Sequence, residues 1–478
     1  MNVRKNKLLS NLLVTGIGRF GGMLIQLVTT FVLSRFLSAE DFGIVAMCSI
    51  FLSISEMLVD SGMGGSIIFY KDVRAVELHT LFWTNLVVSL AIYFLLFLGA
   101  GWIAALYKVP LLEIIIKVIG VSVVVNSLCI IQSAVLSKNL QFKIQSKIMF
   151  WSTVCASVVV LLMGYYGAGI WALVAQPVLQ RFFTVIFYMI YGSYRPAFQY
   201  SLVALKRHWG FGSKLLGTSF IKTVYDNLYV QIVGKVTGLQ EAGFYAQAKR
   251  FNDVPVNLLT FSLDKVVFPS LAGSRHQLDK MERITRLFAL CIFPFLFLAA
   301  LVSKELVVLL LGVKWISSGW MLSFLMIGTV GASMEVLTRS FLKATGKTGV
   351  LLKFDIVKRT ISILILIVAM YWSVKGLLVA FILNGFIGWF FNCVALNKAV
   401  GYTVAGQLRT AMSVCVMAAF AYVLMSLTTA YFHDHYAAAL VSKATGYSIL
   451  YVFFAFLFMK EDMLRLFKAS FSKKIVQV

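Results

Sequence analysis

The sequence predicts an all-α integral membrane protein: fourteen transmembrane helices, twelve in two pseudo-symmetric six-helix bundles and two more at the C-terminal end. Three observations carry that expectation. Of 478 residues, 60% are hydrophobic and 13% charged, with a mean hydropathy of +0.88. A soluble domain is roughly half apolar and about a quarter charged, so this chain has too little polar surface to cover itself in water. The apolar residues also fall into separable segments long enough to cross a bilayer, each needing about 20 residues. Finally, a stretch near the start recurs 200 residues later.

The first segment, 8–34, follows a basic start (Arg4, Lys5, Lys7) much as a secretory leader would. It runs on too far, contains Arg19 and lacks a small-residue cleavage site, so it reads as a retained first span. Five more follow at 43–69, 78–106, 111–136, 147–165 and 169–192, completing an N-lobe over 1–192. A linker at 193–208 leads to the C-lobe, 209–400, with spans 209–234, 242–270, 284–310, 317–342, 349–372 and 376–397. Residues 401–478 supply the last pair, 406–430 and 440–459, and a basic tail. No connection exceeds about sixteen residues, which leaves no room for an extramembrane domain.

The net charge of +24, from 43 Lys and Arg against 19 Asp and Glu, would suggest nucleic acid if it formed one patch. It does not. Between alternate spans the Lys and Arg residues divide 25 against 7. The positive-inside rule then places both termini in the cytoplasm, which requires an even number of spans. The six cysteines all lie in apolar runs without paired spacing and read as small hydrophobes; no metal site is expected.

In the repeat, Ser34–Gly43 lies over Gly234–Gly243, so that Arg35 matches Lys235, Asp41 matches Glu241 and Gly43 matches Gly243. Both copies occupy the turn between the first and second spans of a six-span unit. Six is even, so the repeats are parallel, related by an axis along the membrane normal, and transporters place substrate between such repeats.

Polar stripes mark the helices that avoid lipid. The first span carries Asn11, Thr15, Arg19, Gly22 and Gln26; the second Ser49, Ser53, Glu56 and Asp60. The seventh carries Lys214, Thr218, Lys222 and Asp226, and the eighth Arg250, Asp253, Asn257 and Asp264. Each set lies on one helix face, and a charge at the bilayer centre costs at least about 2.5 kcal/mol. These are equivalent helices of the two lobes, as a shared cavity requires. The candidate anion-binding cations are Arg19, Arg181, Lys222, Lys249, Arg250 and Arg339. The candidate carboxylates for coupling to a proton or Na⁺ are Glu56, Asp60, Asp226, Asp253 and Glu335. Plainer readings stand beside these. Lys222 with Asp226 and Glu335 with Arg339 have the i,i+4 spacing of structural ion pairs. Lys358 and Arg359 lie near a span end, where they would snorkel to the interface. Gly18–Gly22 and Gly234–Gly238 read as sites of close packing.

Enzyme-like motifs fail. Gly346-Lys347-Thr348 resembles the end of a phosphate-binding loop, but Phe341 stands where that pattern needs glycine. No nucleophile–base pairing is evident, and no catalytic residue or cofactor is expected.

Leu33–Met47 (LSRFLSAEDFGIVAM), Asp60–Phe69 (DSGMGGSIIF), Val135–Lys143 (VLSKNLQFK), Tyr225–Lys235 (YDNLYVQIVGK) and the run from Ala242 to Ala272 together carry a resemblance. The chain resembles the polysaccharide transporters, O-antigen-flippase-like proteins of the multidrug/oligosaccharidyl-lipid/polysaccharide flippase superfamily, and most nearly the colanic-acid and teichuronic-acid exporter type. The resemblance covers roughly residues 8–400, and of the cations above only Arg181 matches the branch pattern. It implies two six-helix lobes around a V-shaped cavity. It also implies flipping of an undecaprenyl-diphosphate-linked oligosaccharide to the outer leaflet of a bacterial inner membrane, by alternating access. The implied partners are that lipid-linked substrate, membrane lipids, H⁺ or Na⁺, and polysaccharide polymerase or assembly proteins, with no nucleic acid. A drug/cation antiporter of the same superfamily is the first alternative, and a membrane polymerase or ligase of polysaccharides the second.

Overall fold

The computed structural model describes residues 2–192, 194–271, 277–345, 348–428 and 435–459; the side chains at 2–17, 19, 214, 215, 218, 221, 222, 261, 262, 264–271, 277, 348, 349, 351 and 352 lie outside that description. All regular structure among the described residues is helical. The helices are α1 (Asn2–Phe36), α2 (Ala39–Asp60), α3 (Met63–Phe69), α4 (Ala75–Tyr107), α5 (Leu111–Lys138), α6 (Phe142–Tyr165), α7 (Ile170–Tyr191) and α8 (Leu202–Thr237). There follow α9 (Leu239–Leu271), α10 (Gln277–Leu301), α11 (Ser303–Leu311), α12 (Ile316–Ala344), α13 (Thr348–Ala369), α14 (Ser373–Val400), α15 (Val404–Thr428) and α16 (Tyr436–Phe458). Ten stretches of the described residues are long and apolar enough to cross a membrane, one of them running through both α13 and α14. The chain is a multi-pass membrane protein. It divides into two compact units, residues 1–246 and 247–478.

In the first unit, α1 packs on α6, which packs on α7, while α5 touches α2, α3, α4 and α7, and α8 lies against α2, α3 and α4. Lipid tails are as apolar as leucine, so helices associate through close packing and polar contacts rather than hydrophobic burial. Accordingly Gly18, Gly21 and Gly22 of α1 face Ser146, Phe150 and Thr153 of α6, and a methyl group on Gly18 would lie 2.9 Å from the Ser146 Cβ. Gly234 of α8 likewise meets Met47 of α2. Both are sites where the sequence anticipated close approach.

The start of α2 shows what the repeated motif does. Ser38 caps the helix: its Oγ accepts from the Asp41 amide at 3.2 Å, and Asp41 Oδ2 accepts from the Ser38 amide at 2.9 Å. In the second copy the chain turns at Gly238, whose φ of +101° suits a residue without Cβ. The two copies also cross each other. A methyl on Gly43 would land on the Leu239 carbonyl oxygen, and one on Gly243 on the Ala39 carbonyl oxygen. The contact is reciprocal: Gly43 meets Leu239 and Gly243, and Gly243 meets Ala39 and Gly43.

The expected second span, 43–69, is two helices. Ser61 (φ +48°) and Gly62 (φ +67°) take left-handed conformations between α2 and α3. A side chain on Gly62 would lie 2.6 Å from the Gly212 carbonyl oxygen, so the break lets α8 approach closely. The span expected at 284–310 is also divided, between α10 and α11, at Val302, whose φ of −95° is not left-handed.

The segment 194–201 is fastened to α4. The Ala197 amide donates to His79 Nδ1 at 3.1 Å, so that nitrogen is an acceptor and the Tyr194 hydroxyl donates to it at 3.1 Å. Burial raises the Tyr194 hydroxyl above its ordinary pKa and keeps the donor proton in place. The Trp83 indole donates to the Ala197 carbonyl at 2.9 Å and stacks on Phe198. Tyr194→Phe should cost about 1 kcal/mol, read as a lowered thermal midpoint in detergent.

In the second unit α12 and α14 pack along a seam of small residues, Gly328 and Gly331 against Phe381 and Gly385. Helix α13 packs on α14, and α15 and α16 pack on α10.

Candidate functional site

Within the first unit a cavity of about 840 Å³ opens among α2, α5, α6, α7 and α8. Its α2 wall is Ser53, Glu56 and Asp60, spaced three and four apart so that all share a face. Helix α5 contributes Asn126 and Ser133, α6 Gln145, α7 Gln180, Arg181 and Tyr188, and α8 Thr223, Asp226 and Asn227. Pro177 stands one turn before Arg181 within α7 and removes the amide that would bond the Leu173 carbonyl, loosening the helix at that turn.

The central polar contact joins α7 to α2: Arg181 Nη2 donates to Glu56 Oε1 at 2.9 Å, with both side chains about one-third exposed. Asp60 Oδ1 accepts from the Gly64 amide at 3.2 Å, capping α3 while facing the cavity. Gln145 donates to Ser133 at 2.8 Å, and Gln180 donates to Thr153 at 3.3 Å. On the α8 side the Ser49 hydroxyl donates to Asn227 Oδ1 at 3.4 Å. Deeper along the same helix pair, Gln231 donates to the Met47 carbonyl at 2.9 Å and accepts from the Tyr107 hydroxyl at 3.0 Å. The amides and hydroxyls can both donate and accept, as sugar hydroxyls require. A guanidinium held by a single exchangeable carboxylate can bind an anion in its place.

Arg181, Glu56, Asp60 and Asp226 are thus brought together in one cavity. The Arg19 and Lys222 side chains lie outside the described residues. Among the described residues the charged lining is three carboxylates and one guanidinium. The remaining candidates belong to the second unit. On α9, Lys249 Nζ lies 3.4 Å from Asp253 in an i,i+4 pair, and Arg250 follows it in sequence.

Glu335 and Arg339 enter a separate network. Arg339 donates to Glu335 at 3.2 Å, as their spacing anticipated, and also to Asp355 of α13 at 2.7 Å. Lys358 is ion-paired with Glu335 and lies 3.4 Å from Asp355. The expectation that Lys358 snorkels is corrected here: it is buried, only 8% exposed. Two carboxylates within reach offset the cost of holding its ammonium inside, which a lone lysine would escape by reaching the interface. Gly388 of α14 makes room for Glu335, since a methyl there would overlap its carboxylate. The four charges cancel. Asp355 was missed; its spacing of three from Lys358 on α13 was the available signal. Asn126, Gln145 and Asn227 were missed because uncharged polar residues scattered through apolar helices form no pattern of their own.

Residues 32–320 match the polysaccharide biosynthesis protein family. The succinoglycan biosynthesis transport protein ExoT of Rhizobium meliloti (strain 1021) is 23% identical over 354 residues, 71% of this chain and 69% of its own. The lipopolysaccharide biosynthesis protein WzxC of Escherichia coli (strain K12) is 25% identical over 341 residues, 70% of this chain and 69% of its own. In fold, the chain is similar to the lipid II flippase MurJ in an inward closed conformation. That likeness has a TM-score of 0.75 at 14% identity and covers 94% of this chain and 100% of that one.

Proposed function

We propose that this chain, which belongs to the polysaccharide biosynthesis protein family, flips a lipid-linked oligosaccharide across a bacterial inner membrane. The reading extends to fourteen spans, an N-lobe over 1–192, a C-lobe over 209–400, both termini in the cytoplasm and an undecaprenyl-diphosphate carrier. The observation that carries it is the Arg181–Glu56 pair in a cavity whose other polar lining is amides, hydroxyls and carboxylates. A diphosphate needs cations to leave water, and the sugar needs hydrogen-bonding side chains; this cavity offers both kinds of group. The shared fold with a lipid II flippase supports the same reading.

In this mechanism the diphosphate takes Arg181 from Glu56, with Arg19 and Lys222 as further cations from the sequence stripes. Lys249, Arg250 and Arg339 serve the opposite lobe. A carboxylate deprived of its guanidinium binds a proton or Na⁺ more readily, so substrate entry and ion uptake at Glu56, Asp60 or Asp226 are coupled. Asp253 and Glu335 are the corresponding candidates in the second lobe. Rocking of the lobes exposes the loaded cavity outward while the lipid tail stays in the bilayer.

The test is flipping of a fluorescent lipid-linked oligosaccharide in reconstituted vesicles. A charge-assisted hydrogen bond contributes about 1.5–3 kcal/mol, so Arg181→Gln should slow flipping by roughly tenfold to a hundredfold. Arg19→Ala combined with Lys222→Ala should do likewise. Flipping at the wild-type rate in both variants would sink the cationic mechanism. The three carboxylates of the described lining favour a second reading, a drug/cation antiporter, and a cationic dye supplied to the same vesicles separates the two. Dye efflux that persists in Arg181→Gln, without flipping in wild type, selects the antiporter.

A further inference from the structure

A second concavity lies wholly in the other unit, away from every residue used above. It is a groove of about 1100 Å³ among α10, α15 and α16. One end is polar, formed by Glu282 and Arg286 of α10 and Arg409 of α15. The rest is apolar: Met412, Val416 and Phe420 rise along α15, and Phe454 and Phe458 of α16 face them. The α15 residues recur at three and four from Arg409, so the basic end and the apolar wall are one continuous helix face. Val416, Phe420 and Phe458 are each more than half exposed.

We propose that this groove seats one anionic phospholipid of the cytoplasmic leaflet, its phosphate on Arg409 and Arg286 and an acyl chain along α15. Charge complementarity argues for a phosphate. Arg286 shares its charge with Glu282 at 3.1 Å, whereas Arg409 is exposed and makes no ion pair among the described residues. The sequence just beyond the groove-lining Met459 adds Lys460, Arg465, Lys468, Lys473 and Lys474, and such juxtamembrane clusters attract anionic lipid.

Length argues for a bilayer lipid rather than the substrate's polyprenyl chain. From Arg409 to Phe420 the helix rises about 16 Å at 1.5 Å per residue, and half of a hydrocarbon core is about 15 Å. The wall therefore matches one leaflet, while a chain of eleven isoprene units would overrun it several times. Only the leaflet assignment rests on the orientation proposed above; the site itself does not.

Native mass spectrometry of the purified full chain, titrated in detergent with phosphatidylglycerol or phosphatidylcholine, tests the site. It requires neither flipping nor a known orientation, so failure of the flippase reading would leave the result standing. Wild type should retain one phosphatidylglycerol about tenfold more strongly than phosphatidylcholine, the preference expected of one to two interfacial arginines. Arg286→Gln with Arg409→Gln should erase the preference, and Arg409→Lys should keep it. Equal retention of both lipids by wild type, or an unchanged preference in the double glutamine variant, overturns the proposal. So does stoichiometric displacement of the phospholipid by decaprenyl phosphate, which would assign the groove to the substrate.

Discussion

Gly43→Ala is expected to reduce the yield of folded protein severalfold, and Gly243→Ala to do the same. The atoms in the way are backbone: the carbonyl oxygen of Leu239 in one case and of Ala39 in the other. A crowded side chain can change rotamer, but a carbonyl at a helix start moves only with its helix. Overpacking a tight site costs about 1–3 kcal/mol and occasionally more, and a backbone obstacle belongs at the upper end. Gly99→Ala is the matched control, because a methyl there meets nothing within 4 Å. The check is monodisperse yield on size exclusion in mild detergent, with the thermal midpoint of what remains. The double variant should fall well short of the summed losses, because both substitutions prise open one contact. If Gly43→Ala behaved like Gly99→Ala, the crossing of α2 and α9 as described would be wrong.

Lys443→Met should be the most damaging single substitution in the second unit. Lys443 Nζ lies 2.6 Å from Glu305 Oε1 and joins α16 to α11, with side-chain exposures of only 12% and 6%. The other oxygen of Glu305 has no hydrogen-bond partner among the described residues. Removing the lysine strands a buried carboxylate, a loss of about 3–5 kcal/mol when one partner of such a pair goes. Replacing both charges, Lys443→Met with Glu305→Gln, should recover much of that loss. A double-mutant cycle on the midpoint of thermal or denaturant unfolding measures the coupling. A coupling near zero would mean that solvent or lipid headgroups already satisfy both groups.

The helices were legible because hydrophobic runs bounded by basic turns are the strongest signal a chain can carry in a membrane. The repeat is read from spacing alone: Arg35, Asp41 and Gly43 have counterparts in Lys235, Glu241 and Gly243 at an offset of 200. The breaks at Ser61 and at Val302 were not legible. Both lie inside segments that read as one span by length, although Asp60-Ser61-Gly62 and Ser303-Lys304-Glu305 interrupt the apolar runs there. The α8 residue that the first break admits, Gly212, is 150 residues away in sequence. Helical stripes placed Glu56 and Asp60 on one face of the second span and Asp226 on one face of the seventh, and Arg181 stood out as a lone mid-span cation; all four line the cavity. Periodicity reports which face a residue occupies but not its partner. That is why the Arg181–Glu56 pair and the burial of Lys358 emerge only from packing.

The Gly43–Gly243 crossing also bears on how such a chain could arise. A contact in which Gly43 meets Leu239 while Gly243 meets Ala39 has the reciprocity of an isologous interface, the kind that joins two identical subunits about a two-fold axis. Were two identical copies to meet in this way, one glycine would serve both sides, and any change there would count twice. Once the copies are fused, each side is free to differ. In this chain Phe42 corresponds to Ala242 and Ser38 to Gly238, while glycine stands at both crossing positions.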